Sequence, residues 1–323
     1  MSTLARNLCV GAVTIGLTLG ASLGASAAEI QLNLGGSTTT SSFYPYYTAI
    51  ANSISESDPD INVTVLSTGG FAKNAALLKK GDLVFAGISP DLIADLEEDG
   101  FDKVRVLWWS LPAMQLVTVR KDARIESFSE LNGKCFHPGM TGSSQEKNMI
   151  KVIRALGYTP KLYLSDSKDA VNAIKNGRCL GRQKAVGSPK LDAGSEELNL
   201  TTPLWPIGWT EEERAAIKKG IPWMDFVKMP AGIVDGSPEF WAHAIWIGFV
   251  ASADVSEDTA YKLTKGMWSG IDKQRKALSG IRNREILKQT LEVSAYPLHA
   301  GAVRFYREQG LDVPERLLPP EVN

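Results

Sequence analysis

The sequence predicts an α/β protein built from two lobes, and two observations lead to that prediction. Apolar strands alternate with helices, and a polar or glycine-rich loop follows each strand. This pattern runs three times from residue 29 to residue 100, and it restarts at Lys134. Because such alternation builds a parallel sheet covered by helices, each run predicts one α/β unit. With 323 residues the chain is long enough for both units.

The first unit contains three strands that are each followed by a helix. Residues 29–34 alternate between apolar and polar side chains and run into two glycines, which is typical of a strand and a loop. The next helix is expected to have Ser41 or Ser42 as its N-cap, because Pro45 is tolerated only in a first turn. Further strands are expected at residues 61–70, 83–91, 103–111 and 114–122, with helices at 71–81 and 90–100.

The second unit repeats the order of strand, polar loop and helix. It is expected in residues 134–157 and again in residues 161–177, with a further strand in residues 178–187. Ser144 and Glu146 are one residue too close for a capping box, so no capping box is expected at that helix.

Two strands are expected to cross between the units and to divide the chain into lobes. These crossing strands are residues 116–120 and 244–250, and the helices after them would return to the first unit. The predicted division is residues 28–117 with 247–323 for lobe 1, and residues 118–246 for lobe 2.

The N-terminus has the three-part pattern of a secretory signal peptide. Arg6 precedes an apolar run rich in small residues, and the tripeptide from Ala25 to Ala27 fits a small-x-small cleavage site. We expect residues 1–27 to be removed on export, which leaves a soluble protein in the periplasm. No later segment has the ~18 uncharged apolar residues that a membrane-spanning helix needs.

Charge and residue spacing argue against two broad classes of function. The net charge is −1, so the dense Lys/Arg content of a nucleic-acid-binding protein is absent. The three histidines lack zinc-ligand spacing, and the sequence has no Gly-x-Ser-x-Gly nucleophile motif. We therefore expect neither an enzyme nor a bound cofactor or metal ion, and we expect structural roles for His137, His243 and His299.

Two cysteines remain after the predicted signal peptide. Cys135 and Cys179 are expected either to form a disulfide, which an oxidising compartment permits, or to be buried free thiols. The choice depends on the distance between their Cα atoms, which the sequence does not give.

The loops that precede four predicted helices share one composition. Small hydroxyl residues and glycines lie before each helix, and aromatic residues follow in the first of them. Free N–H groups at a helix N-terminus suit an anion, and aromatic side chains exclude water from it. The alternative is a solvated loop that runs into core aromatics. The candidate ligand-binding residues here are Thr39, Ser41, Ser42, Phe43, Tyr44, Gly70, Phe71, Asn74, Ser89, Thr141, Gly142, Ser143 and Ser144.

Four segments of the sequence resemble one family of transport proteins. The segments are STTTSSFYPYY from residue 37, STGGFAKNAALLKKGDLVFAGISPD from residue 67, GKCFHPGMTGSSQE from residue 133 and YPLHAGAVRFYREQG from residue 296. In order and spacing they resemble the TAXI-type substrate-binding proteins of tripartite ATP-independent periplasmic (TRAP) transporters. The similarity covers essentially the whole mature chain.

The resemblance implies a type II periplasmic-binding-protein fold and a function in transport. It implies that the cleft between the lobes captures a small organic anion, often a dicarboxylate or an acidic amino acid. It also implies delivery of this anion to the membrane subunits of a TRAP permease. Service to an ATP-driven transporter or a sensor system, with the same fold, is the alternative.

The sequence departs from the family at positions that bear on the ligand. Thr40-Ser41-Ser42 replaces Gly-Gly-Thr, which makes the first loop stiffer. Phe43 and Phe71 replace a tyrosine and a serine, which makes one wall more apolar and suggests a ligand with an apolar body. Arg182 and Lys184 replace small or apolar residues. We expect Arg182 either to pair with a ligand carboxylate or to lie on the surface. His299 is expected to fix the C-terminal segment against lobe 1.

Overall fold

The computed structural model describes residues 30–37, 39 and 43–322. The predicted signal peptide, residues 1–27, and the candidate residues Ser41 and Ser42 lie outside these ranges. Within them, the strands are β1 Ile30–Gly35, β2 Ile61–Leu66, β3 Phe85–Ile88, β4 Val104–Arg120, β5 Cys135–His137, β6 Lys161–Leu162, β7 Gly181–Val186, β8 Leu204–Ile207, β9 Asp225–Met229 and β10 Phe240–Ser252.

Helices cover the strands in the order that the sequence predicts. They are α1 Tyr44–Ser57, α2 Phe71–Lys80, α3 Pro90–Glu98, α4 Ser144–Leu156, α5 Ser167–Lys175, α6 Ala193–Thr201, α7 Glu211–Gly220, α8 Glu257–Ser269, α9 Ile271–Ala277, α10 Ile286–Val293 and α11 Ala300–Glu308. Among the helices in the described part of the chain, none combines the length and the apolar composition that a membrane crossing requires.

The strands form one mixed sheet with the order β2-β1-β3-β10-β4-β7-β5-β6. In one half, β1 is parallel to β2 and to β3, and in the other half β5 is parallel to β6 and to β7. The two halves meet at β4 and β10, which are antiparallel to each other and also pair with β8 and β9. This is the two-lobed α/β fold that the sequence predicts, with β4 and β10 as the crossing strands.

The crossing strands change their neighbours along their length, which marks where one lobe gives way to the other. On β10, residues 248–251 pair with β3 and residues 240–244 pair with β9. On β4, the pairing with β7 begins at Met114. These changes lie near the predicted boundaries, 117/118 and 246/247, and we keep those boundaries as a proposal.

The two separate strands predicted on either side of Pro112 are one continuous strand, β4. The ladder between β4 and β10 shifts at Ile247/Gly248 and at Phe249/Val250, so β-bulges take up the irregularity near the proline. Gly248 lies directly against β4, since a Cβ atom there would be 2.3 Å from the carbonyl oxygen of Trp108. The centre of the β4–β10 pair therefore contains β-bulges and is closely packed.

One large hydrophobic core lies between the sheet and the helices. Trp108 and Trp109 of β4 are fully buried in it. The aromatic rings of α1 join the same core, because Tyr46 and Tyr47 pack edge-on against Phe249 of β10. Helix α1 is therefore anchored on a crossing strand.

A disulfide joins Cys135 at the start of β5 to Cys179 just before β7. Their Cα atoms are 4.7 Å apart, since β5 and β7 are neighbouring parallel strands. Of the two alternatives that the sequence leaves open, the structure has the bonded pair. It is packed among the apolar side chains of Ala173, Ile174, Leu198 and Leu204.

Loss of this disulfide should lower the free energy of unfolding. A cross-link between residues 44 positions apart restricts the unfolded chain and contributes about 2–4 kcal/mol. Guanidinium unfolding curves measured with and without dithiothreitol should differ by that amount. The double variant Cys135→Ala/Cys179→Ala should match the reduced wild type and ignore the reductant. Equal stability of the reduced and oxidised wild type would contradict the prediction.

Candidate functional site

Three loops of lobe 1 meet at one edge of the sheet. Strands β1, β2 and β3 are parallel, so their C-terminal ends lie side by side and their loops lead into α1, α2 and α3. The first N–H groups of each helix have no partner within the helix, and they point toward this edge. This is the edge at which open α/β sheets bind ligands.

A buried asparagine holds these loops together. The Nδ2 atom of Asn74 donates to the carbonyl oxygens of Gly35, Gly36 and Gly87, at 3.0, 3.0 and 2.8 Å. The hydroxyl of Thr68 lies 2.5 Å from its Oδ1 atom. Because both ends of the amide are occupied and the side chain has no exposed surface, Asn74 positions the loops and has no free group for a ligand. These hydrogen bonds argue against Asn74 as a direct ligand contact, which stays a prediction.

The loop before α1 brings aromatic residues to the same edge. Phe43 is the residue before the helix and Tyr44 is its first residue, and both are half-buried. The predicted N-cap at Ser41 or Ser42 is wrong, since the helix begins one residue after Phe43. Thr39 is exposed in a turn. The role of Phe43 and Tyr44 as a wall beside a ligand stays a prediction.

Two glycines shape the start of α2. Gly69 and Gly70 have φ angles of 96° and 129°, which residues other than glycine rarely adopt. Gly70 is the N-cap, and Phe71 after it is half-buried against the core. The backbone at this helix start is therefore left uncovered by side chains.

The start of α3 carries a buried carboxylate. Ser89 is the N-cap and Asp91 lies in the first turn, and both are buried. Burial raises the pKa of the Asp91 carboxyl group above its usual range, and hydrogen bonds from Ser89 and Asn148 offset part of the increase. The Asn148 side chain, on α4 of lobe 2, donates to Asp91 Oδ2 at 2.9 Å.

The loop before α4 is the corresponding loop of lobe 2. Thr141 and Gly142 are exposed, and Thr141 bonds through its N–H to the carbonyl oxygen of Ser165 at 3.1 Å. Ser143 is the N-cap of α4, since its Oγ accepts from the N–H of Glu146 at 3.2 Å. Ser144 is the first residue of the helix and is half-buried.

Glu146 places a negative charge inside this loop. Its carboxylate accepts a hydrogen bond from the N–H of Gly142, and the side chain is buried. As the sequence predicts, α4 has no capping box, because the Glu146 carboxylate bonds to the N–H of Gly142 and not to that of the N-cap Ser143. Any anion placed at this helix start would lie near an internal carboxylate.

Two cations on β7 lie near this loop. Arg182 pairs with His137 in the sheet ladder, and Lys184 lies two residues further on the same face. Burial lowers the pKa of His137, and the charges of Arg182 and Lys184 act in the same direction while that of Glu146 opposes them. Arg182, Lys184 and Glu146 are therefore each close enough to act on His137.

Arg182 is buried, so the alternative of a surface residue is wrong. Its side chain is 3% exposed, and Nη2 donates to Ser195 Oγ at 2.5 Å and to Asp192 at 3.4 Å. Its Nε atom has no hydrogen-bond partner among the described residues. Burial lowers the pKa of this guanidinium group, and Asp192 offsets part of the change. Arg182 thus retains an unsatisfied donor.

Three glutamines connect α4 to the crossing strand β4, and the sequence analysis missed them. Gln145 Nε2 donates to Gln115 Oε1 at 3.1 Å, and Gln183 Nε2 donates to the backbone oxygen of Gln145 at 3.3 Å. Gln115 and Gln183 are buried. No sequence motif marks these residues, because only the register of β4 with β7 brings them together.

The other two histidines have contacts that suit structural roles. Trp209 Nε1 donates to His243 Nδ1 at 3.0 Å, and burial lowers the pKa of His243 to about 3. His299 Nδ1 accepts from the N–H of Gly301 and caps α11 in lobe 1. Within the described residues, no group of three or more His, Cys, Asp or Glu side chains is placed to hold a metal ion.

Comparison with known sequences places the chain in a family. Residues 34–310, which include both lobes and both crossing strands, match the family described as NMT1-like. The chain belongs to the NMT1-like family. The match covers every candidate residue of the loops before α1, α2, α3 and α4.

Solved structures similar to this NMT1-like protein include proteins that bind solutes. A TctC solute-binding protein from Polaromonas has a TM-score of 0.52 at 13% identity, over 77% of this chain and 87% of that chain. XAC2383 from Xanthomonas citri bound to ATP has a TM-score of 0.52 at 12% identity, over 86% of this chain and 98% of that chain. At such identities the likeness shows the fold alone. The NMT1-like protein has the two-lobed fold of solute-binding proteins.

Asn74→Ala should destabilise the NMT1-like protein. The substitution leaves the carbonyl oxygens of Gly35, Gly36 and Gly87 without their buried donor, at a cost of about 2–3 kcal/mol in the free energy of unfolding. Urea unfolding measures this loss, and Asn172→Ala on the exposed surface of α5 is the matched control. Unchanged stability of Asn74→Ala would refute a positioning role for this amide.

The free energy of unfolding of Asp91→Asn, relative to that of wild type, should increase as the pH rises from 4 to 7. The raised pKa of Asp91 means that the folded state holds a proton that the unfolded state releases, so wild-type stability falls as the pH rises above about 4. The asparagine variant lacks this cost. Unfolding curves across that pH range test the difference, with exposed Asp82→Asn as control. A pH-independent difference would contradict the prediction.

Proposed function

We propose that this protein is an extracytoplasmic solute-binding protein that captures a small organic anion between its lobes. One observation carries the proposal: glycine- and hydroxyl-rich helix starts from both lobes lie beside two strands that link the lobes. Helices α1, α2 and α3 begin at this edge in lobe 1, and α4 begins at the corresponding edge in lobe 2. Closure about the crossing strands would bring these N-termini onto one ligand.

The electrostatics of lobe 2 support an anionic ligand. Arg182 is buried with an unpartnered Nε donor, and its acidic partner Asp192 is 3.4 Å away. Lys184 is half-buried and has no ion pair among the described residues. A desolvated guanidinium group is stabilised by a carboxylate that it can bind through two parallel hydrogen bonds. We therefore propose Arg182 as a ligand-binding residue.

The ligand class that fits is a carboxylate with an apolar body. Phe43, Tyr44 and Phe71 present aromatic surface at the helix starts of lobe 1. Thr39, Gly70 and Ser89 in lobe 1, with the 141–144 loop in lobe 2, supply hydroxyl and backbone donors. Dicarboxylates and acidic amino acids, which the resemblance to TAXI-type proteins implies, are the other carboxylate ligands that we propose.

Location outside the cytoplasm is part of the proposal. The disulfide between Cys135 and Cys179 supports an oxidising compartment, because cytosolic thiols are kept reduced. The predicted signal peptide, residues 1–27, would direct the chain to the periplasm. Processing there would leave lobe 1 beginning near β1.

The proposed partner is a TRAP permease, on the basis of the resemblance to TAXI-type proteins. The fold also suits a binding protein of an ATP-driven transporter or a sensor system, and this is the alternative. Uptake of the solute by strains that lack either a TRAP permease or the ATPase subunit of a transporter tests the choice. Uptake that stops with loss of a TRAP permease supports the proposal, and uptake that depends on an ATPase subunit contradicts it.

A thermal-shift screen tests the solute-binding function. Organic acids, acidic amino acids and aromatic acids would be added singly to the purified exported protein. A ligand at ~100 times its dissociation constant adds about 2.7 kcal/mol to stability, which should raise the melting temperature by roughly 4–5 °C. A shift with neutral sugars and none with acids, in protein shown by native mass spectrometry to be free of ligand, would contradict the anionic class.

Arg182→Gln tests the proposed carboxylate contact. It should weaken binding of the best acid from the screen by tenfold or more, because a desolvated charged hydrogen bond is lost. Arg178→Gln, an exposed change of the same kind near β7, should leave binding unchanged. Titration calorimetry gives the affinities. Unfolding of the ligand-free variants measures how much stability is lost with the hydrogen bond to Ser195, so that this loss is not mistaken for a loss of affinity. Equal affinity of Arg182→Gln and wild type would remove Arg182 from the site.

A further inference from the structure

Helices α3 of lobe 1 and α4 of lobe 2 touch each other through two polar pairs. Asn148 Nδ2 on α4 donates to Asp91 Oδ2 on α3 at 2.9 Å. One turn further along both helices, Lys151 Nζ lies 3.0 Å from Asp95 Oδ1. The spacing of three or four residues places both pairs on one face of each helix. The contact is therefore a short seam between the two lobes.

Burial distinguishes the Asn148–Asp91 pair from the Lys151–Asp95 pair. Asp91 is 3% exposed and Asn148 is 1% exposed, whereas the Lys151 and Asp95 side chains are about one-third exposed. Asp91 Oδ1 has no hydrogen-bond partner among the described residues. A buried polar group depends strongly on the bonds it makes, while a half-exposed ion pair contributes little. The Asn148–Asp91 bond is thus the energetically important part of the seam.

The seam is local, because each helix packs within its own lobe on either side of it. Helix α3 packs on α2 and β10, and α4 packs on β7 and α7. Beyond the ion pair the lobes separate into a groove of about 420 Å³, lined by Glu98, Lys151, Arg154, Ala155, Gly220, Ile221 and Trp223. In the described part of the chain, β4 and β10 are the strands that link the sheet halves, so bending at their bulged centre would part the seam.

We propose that the Asn148–Asp91 pair is a latch between the lobes that favours the closed form before a ligand binds. The proposal rests on the solute-binding function above, since a ligand enters the open form and is held by the closed form. A latch of this kind sets the closed fraction of the free protein. The apparent affinity for a ligand rises with that fraction.

Asn148→Asp and a swapped pair test the latch. Asn148→Asp places a second carboxyl group against Asp91 and at pH 9 should drive the lobes apart, because the closed form must either hold two like charges together or take up a proton that the open form releases. The swap Asp91→Asn/Asn148→Asp restores one amide and one carboxylate. Asn172→Asp makes the same chemical change on the exposed surface of α5 and is the control.

Opening is measured on the ligand-free protein. Dyes on cysteines introduced at exposed Lys73 of lobe 1 and Lys168 of lobe 2 report the interlobe distance by energy transfer, and small-angle X-ray scattering reports overall size. Native cysteines do not interfere, because Cys135 and Cys179 are bonded to each other.

The expected result is a tenfold or larger increase in the ratio of open to closed molecules in Asn148→Asp. The swap should return this ratio to the wild-type value, and Asn172→Asp should not change it. Energy transfer and size that are the same in Asn148→Asp and wild type would overturn the latch. So would a swap that stays open while remaining folded by circular dichroism.

Failure of the latch is distinguishable from failure of the proposed function. A protein that binds acids in the thermal-shift screen and shows no opening in Asn148→Asp retains the function and lacks the latch. A protein that opens in Asn148→Asp and binds none of the acids retains the latch and refutes the anionic ligand class.

Discussion

The antiparallel pairing of β4 with β10 is the constraint on which the rest of the structure depends. Each strand belongs to both halves of the sheet, so the pair fixes how the halves face each other. Its centre is packed as tightly as a core, with Gly248 against the backbone of Trp108. Any relative motion of the lobes therefore has to pass through the two bulges of this ladder.

The loops at the facing edges are organised by polar groups of the protein itself. The Asn74 side chain donates hydrogen bonds to carbonyl oxygens of the lobe 1 loops. The Glu146 carboxylate accepts a hydrogen bond from an N–H group of the lobe 2 loop. Both side chains are buried, so their hydrogen bonds fix the backbone firmly. In the proposed function, the ligand would contact the exposed or half-buried remainder of each loop, together with Arg182 and Lys184 of β7.

Charge distribution gives the two lobes different tasks in the proposed mechanism. Lobe 1 offers aromatic surface and backbone donors at three helix starts, and lobe 2 offers Arg182 and Lys184 beside an internal carboxylate. A ligand that is anionic at one end and apolar at the other would be complementary to this arrangement. The seam at Asn148 and Asp91 then links occupancy of the cleft to the position of the lobes.

The sequence by itself determined the alternation of strands and helices, the two crossing strands and the composition of the helix starts. These are local properties, set by hydrophobic period and by glycine and hydroxyl residues at loops. Tertiary structure alone decided that Cys135 and Cys179 are bonded, that Asn74 is buried with its hydrogen bonds to the loops, and that Arg182 is desolvated. Each of these depends on which strands are neighbours and in what register, and pairing between distant segments is not encoded in the local pattern.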